Sequence, residues 1–183
     1  MLRRALLREI SDARAALNRT RLVVETSMQL SLYRILSTVG PVKFRPHIYT
    51  THFAEACLHL TESERISFNS IYYLIDTINE LTDELQIKVI SVAKRISDND
   101  ADNDSREEAF REMAGTLELM YSNARHALHN INYHLKNQDH LDMFAEGAET
   151  AKKLDEEIRS GLMKLAEDAR RLGVEGIQTK KYE

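Results

Sequence analysis

The sequence predicts an all-α fold, an elongated antiparallel helical bundle of four long helices plus one short helix. Three observations carry that prediction. Two prolines, six glycines and no tryptophan in 183 residues leave too few turn formers for a β-rich chain. Apolar residues recur at spacings of three and four through most of the chain, which is the period of one helix face. A composition of 43% hydrophobic and 30% charged residues suits amphipathic helices around the core of a single domain, 1–183.

The first helix is expected over 2–38. Leu6, Ile10, Ala13, Leu17, Val24, Met28 and Ile35 share a face, with Arg4, Arg8 and Arg19 opposite. Asn18-Arg19-Thr20-Arg21 is a weak helix former and admits a kink, and Gly40-Pro41 is the expected stop. Residues 40–51, GPVKFRPHIYTT, contain both prolines. Pro46 biases Arg45 toward extended backbone, while Phe44, Ile48 and Tyr49 are apolar enough to fold back on the bundle. Thr51 is the expected cap of a short helix over 52–60.

Thr61 opens the longest helix, over 62–97. Its hydroxyl can accept from the Glu64 amide while the Glu64 carboxylate reaches back, a capping box, and Glu62 adds charge favourable to the helix dipole. Ile71, Leu74, Ile75, Ile78, Leu81, Leu85, Val89, Val92 and Ile96 form its core face. Asp76, Glu80, Asp83, Glu84 and Lys94 lie away from it. The acidic run SDNDADNDS, residues 97–105, alternates aspartates as a calcium loop does. Position twelve falls on Ala109 or Arg111 instead of a bidentate glutamate, so the run reads as a solvated loop. Ser105 and Glu108 form a second capping box for a helix over 106–136, with Phe110, Met113, Leu117, Met120, Ala124 and Ile131 on its stripe. Asn137-Gln138-Asp139 is a tight connection to an antiparallel neighbour over 140–172, where Phe144, Leu154, Ile158, Leu162 and Leu165 mark the core. Gly173 reads as its C-terminal cap, and 174–183 as a frayed tail.

The net charge of −4 conceals segregation. Residues 1–50 carry nine basic against three acidic side chains, and residues 51–110 carry five against thirteen. Either a basic helix packs beside an acidic one, or a charged surface is left for a partner. The Arg-rich opening with Arg3, Arg4 and Arg8 reads as a solvated helix, as a membrane-surface helix using Leu2, Leu6, Leu7 and Ile10, or as a targeting segment, against which Glu9 and Asp12 argue. No apolar run approaches the length needed to span a bilayer. A lone cysteine, Cys57, and no evident signal peptide make a cytoplasmic location the default.

Chemistry has few candidates. His52, Glu55 and His59 stand at i, i+3 and i+7, a donor set suited to zinc or ferrous iron; the competing reading is a solvated polar face. Cys57 beside His52 or His59 reads as a small buried hydrophobe rather than a nucleophile. His126 and His129 fall nearly opposite Leu117 and Ile131, hence on the exposed side, with His134 further along. No glutamate has a histidine three residues later, which argues against a di-iron bundle. Histidines one, four and nine positions after Arg125 miss the spacing of helical nucleases, and the acidic balance gives nucleic acid no support.

Three segments, LREISDARAALNRT, FRPHIYTTHFAEACLHLTESER and FNSIYYLIDTIN, resemble a group of uncharacterised bacterial helical domains that often follow a membrane anchor. The resemblance spans residues 6–85, rests on apolar and aromatic positions, and implies a helical fold without implying catalytic residues. The anchor helix has no counterpart in this sequence. The expectation is a non-catalytic scaffold, regulatory or assembly protein acting through a protein partner or self-association, with coiled-coil-like packing. It needs no cofactor and shows no small-molecule substrate. The alternatives are a metal-dependent protein using His52, Glu55 and His59, and a peripheral membrane protein using Arg3, Arg4 and Arg8.

Overall fold

The computed structural model describes residues 1–98, 102–142 and 148–179, and all regular structure among them is helical. The elements are α1 (Leu2–Ser31), α2 (Ile48–Ala56) followed by a 3₁₀ turn (Cys57–His59), α3 (Glu62–Ser97), α4 (Asn103–Lys136) and α5 (Ala148–Thr179). Helix α4 is central. It packs on α3 most extensively, then on α1, and more lightly on α5, which lies mainly on α1. The α3 and α4 partners change in opposite senses along the two helices. Arg95 donates to the Ser105 carbonyl at 2.7 Å, Lys88 to Thr116 at 2.8 Å and Asn130 to Ser70 at 3.0 Å, while Ser67 meets His134 at 2.8 Å.

The core joins the faces that the periodicity marks. Leu6, Ile10 and Val24 of α1, Ile71 and Ile75 of α3, and Leu117, Met120 and Ile131 of α4 are fully or almost fully buried in one cluster. Helix α1 runs without a break through Asn18 and Thr20, because Leu17, Thr20 and Val24 are all buried on the continuing face. The capping box at Thr61 forms in both directions.

The helix limits differ from expectation where tertiary contacts take over local signals. Helix α1 ends at Ser31, well before Gly40-Pro41. Arg34 takes φ 59°, its amide bonds the Ser31 carbonyl at 3.0 Å, and the Ile35 amide bonds the Leu30 carbonyl at 3.2 Å. That is a Schellman motif with arginine in the left-handed position usually held by glycine. Ile35 then packs against Leu30. The arginine is held there from outside the helix: its guanidinium makes two bonds to the Glu107 carboxylate and lies 5.6 Å from the Phe110 ring centroid.

The short helix begins at Ile48, not after Thr51, because a carboxylate from α1 serves its free amides. Helix α4 starts three residues early, since the Asp102 carboxylate accepts from the Ser105 amide at 2.6 Å; Ser105 is thus inside the first turn and is not the cap. Ile96 is half-exposed rather than core. The expected helix over 140–172 is found from Ala148, with 143–147 and Phe144 among them outside the described residues, as are 99–101 of the acidic run. Gly173 bends the chain at φ 66°, yet α5 resumes to Thr179. Ile177 is 1% exposed and joins Leu30 and Ala169 in a second cluster, so the presumed tail is packed as far as Ile177 and helical through 179.

Candidate functional site

The expected metal-binding trio does not converge. His52 Nδ1 lies 3.8 Å from a Glu55 carboxylate oxygen, and both side chains are well exposed. His59 is on the 3₁₀ turn, where each residue advances about 120° rather than 100°. Three such steps swing it some 60° beyond the face it would share on a continuous α-helix. Among the described residues, no group of three or more His, Cys, Asp or Glu side chains is placed to hold a metal ion. Cys57 is half-buried, and its carbonyl accepts from Arg65 at 3.1 Å, tying the turn to α3.

Two buried polar nodes lie on the core faces instead. In the first, the Glu9 carboxylate reaches the start of α2 and accepts from the amides of His47 at 2.7 Å, Ile48 at 2.6 Å and Tyr49 at 3.0 Å. It also accepts from the Tyr72 hydroxyl at 2.6 Å, and the Tyr49 and Tyr72 rings stack at 3.8 Å. A carboxylate there answers both the free amides and the positive end of the helix dipole. Burial, then the hydrogen bond and charge of Glu9, push the Tyr72 phenol far up, so it stays protonated as the donor. Desolvation, followed by Asp76 and Cys57, raises Tyr49 as well.

In the second node, α1, α3 and the end of α4 meet. Arg3 pairs with Glu64 and donates to the Gln138 carbonyl at 2.9 Å. Glu64 also closes the capping box at the Thr61 amide, 2.9 Å away. It is held below its usual range: burial opposes this, but the Thr61 and Arg3 hydrogen bonds outweigh it. His134 is fully buried beside this group. Its Nδ1 faces the Ser67 hydroxyl, its ring lies 4.5 Å from Phe68, and its Nε2 has no hydrogen-bond partner among the described residues. Desolvation lowers its pKa to about 4, against the pull of Glu64 and with the push of Arg3.

Sequence reasoning passed over both nodes, although a signal existed. Glu9 borders the arc of Leu6, Ile10 and Ala13, and His134 follows Ala127 by seven residues and Ile131 by three. A polar residue inside an apolar stripe marks a buried polar group that needs partners. His126 and His129 are not on an open face as expected: His126 Nε2 is 3.2 Å from Asp155 of α5, and His129 lines a cleft with Arg21, Arg125 and Glu157.

The basic opening of α1 is divided between core and surface. Leu6 and Ile10, two of the side chains that a membrane-surface helix would insert, are 0% exposed within the bundle. Arg3 is committed to Glu64, while Arg4 and Arg8 are exposed. No described helix is long and apolar enough to cross a membrane. The basic α1 packs on α4 and α5 rather than along the acidic α3.

The outer side of α3 is therefore open. Asn69, Tyr73, Asp76, Glu80, Asp83, Ile87, Ile90 and Lys94, alternately four and three residues apart, form a straight seam. Most of that seam faces solvent, with Tyr73 72%, Ile87 68% and Ile90 62% exposed. Burial and the neighbouring Glu80 carboxylate push Asp76 above its usual range. Comparison with family models, curated proteins and solved structures gives no match for this chain.

Proposed function

We propose that the chain is a non-catalytic helical scaffold or assembly protein of the cytoplasm, a single elongated antiparallel bundle of four long helices and one short one. It works through protein–protein contacts on the outer seam of α3. The observation that supports this reading is the exposure of Tyr73, Ile87 and Ile90 at coiled-coil spacing on a helix whose other face is buried. Large apolar side chains in such a row suit a second helix. Asp76 and Glu80 between them select a partner stripe flanked by Lys or Arg.

A synthetic Leu/Lys amphipathic peptide serves as the probe. Its fluorescence anisotropy should report saturable binding that weakens with salt, falls with Glu80→Lys and is lost in the Ile87→Asp/Ile90→Asp variant. Binding indifferent to both variants refutes the assignment of the seam. Self-association through the same face is tested by light scattering across a concentration series; a strict monomer at high micromolar removes it.

A further inference from the structure

Beyond any role of α3's outer seam, we infer that the chain holds a small uncharged amphiphile between α1, α3 and α4, beneath the segment that follows α1. The segment is fixed at both ends. Arg34 anchors it on Glu107 of α4, and Phe44 exchanges two hydrogen bonds with the Asn79 side chain of α3, at 3.1 and 2.8 Å. Between these anchors residues 36–41 arch over a cavity of about 320 Å³. Its apolar wall is built by Leu85, Val89, Met113 and Leu117. That volume is at the lower end of small-molecule sites and, at about 30 Å³ per non-hydrogen atom in a liquid, holds roughly ten such atoms.

Two polar groups meet this wall. Ser27 is 8% exposed and lines the cavity, and its hydroxyl makes no hydrogen bond among the described residues. A serine hydroxyl on a cavity wall can donate to, and accept from, what fills the cavity. The Gln86 carboxamide stands at the mouth, likewise without a bond among the described residues. Of the other hydroxyls in the lining, that of Thr82 donates to the Ile78 carbonyl and that of Ser37 to the Val39 carbonyl, while Thr38 belongs to the arching segment itself. No charged side chain lines the cavity. An ionised head would be desolvated there without a counter-charge, whereas a hydroxyl or amide head can bond Ser27 and Gln86 while its chain covers Leu85 and Leu117. The ligand class is thus a neutral, medium-length alcohol or amide.

The probe is 1-nonanol, read by methyl resonances of the protein labelled with ¹³C-methyl methionine, with the Met113 signal assigned by Met113→Leu. Met113 is 3% exposed in the cavity wall, and Met163, 68% exposed on α5, is the internal control. Nonanol should shift Met113 saturably with one site per chain and leave Met163 unmoved. Nonanoate at pH 8 should bind about tenfold more weakly or worse because its charge must be stripped of water. Gln86→Trp fills the mouth from an exposed α3 position and should abolish the shift, with circular dichroism showing the fold retained. Ser27→Ala should weaken nonanol but not n-nonane. No saturable shift up to the solubility limit overturns the inference. So do equal responses to nonanol and nonanoate, or undiminished binding by folded Gln86→Trp.

Discussion

The buried imidazole of His134 makes the fold acid-sensitive in a defined window. The group titrates near 6.5 when unfolded and at about 4 in the bundle. The folded state therefore binds fewer protons between those values, and stability must rise with pH across them. The contribution is complete above pH 6.5 and is lost as the pH falls toward 4. At 1.36 kcal/mol per pKa unit the lost stability is roughly 3 kcal/mol, a large part of a domain's total. Glu64, held below its usual range, adds acid sensitivity of the same sign where the unfolded carboxylate titrates, at the lower edge of the window, and the comparison variant retains it. Asp76, pushed up on the outer seam, works in the opposite sense but is solvent-exposed. The assay is urea unfolding followed by circular dichroism at pH 7.0, 6.0, 5.0 and 4.5, in the natural chain and in a Ser67→Ala/His134→Leu variant. That variant removes the ring and its hydroxyl partner together, so no lone polar group is left behind. The natural chain should lose stability about one proton's worth steeper than the variant between pH 6 and 4.5. Parallel pH profiles would refute the assignment.

Three further outcomes follow from single contacts. Gly161→Ala should destabilise despite the roughly 1 kcal/mol that alanine gains in helix propensity, because the new Cβ would lie 2.5 Å from the Tyr121 hydroxyl; adding Tyr121→Phe should reverse the sign, as thermal unfolding would show. Glu9→Gln should cost about 2 kcal/mol in urea unfolding, since charged hydrogen bonds to three amides are replaced by weaker ones, and Tyr72→Phe should cost less. Arg34→Gly should show two opposed effects. The left-handed backbone is relieved, yet the Glu107 pair and Phe110 contact are lost, so it should be less destabilising than Arg34→Ala, which loses the same contacts and keeps the strain; similar unfolding midpoints for the two variants would contradict the Schellman reading.

How far the sequence could be read depended on whether a signal was local. The capping box at Thr61 involves four consecutive residues and forms as written. The stripes of α1, α3 and α4 persist for many turns, so Leu6, Ile75 and Leu117 were identifiable as core without knowing their neighbours. Helix limits failed where the decisive partner is remote. Glu9 is some forty residues from the amides it serves at His47, Ile48 and Tyr49, and Glu107 lies far from the Arg34 it holds. Glycine and proline offered stop signals at 40–41, but an arginine can occupy a left-handed position once its side chain is paid for elsewhere. The candidate trio His52, Glu55 and His59 failed for a narrower reason: a change from α to 3₁₀ pitch within three residues breaks the shared face. The cavity under residues 36–41 had no sequence signature at all, because its walls come from three helices and a loop.

The charge segregation gains a sharper meaning from the packing. Had the basic α1 lain along the acidic α3, the two excesses would have cancelled inside the bundle. They do not meet in that way. Arg3 reaches Glu64, Arg34 reaches Glu107 on α4, and Arg21 has Glu25 of its own helix at 3.7 Å, while Arg4, Arg8 and Arg19 are exposed. On the outer seam of α3, Asp83 is neutralised by Lys43, and Asp76 and Glu80 repel each other. Two copies meeting seam to seam in parallel register would oppose these carboxylates, at a cost that grows as salt is removed. A basic partner helix meets the opposite condition and binds more strongly as salt falls. The sign of the salt dependence therefore separates parallel self-association through α3 from capture of a basic helix.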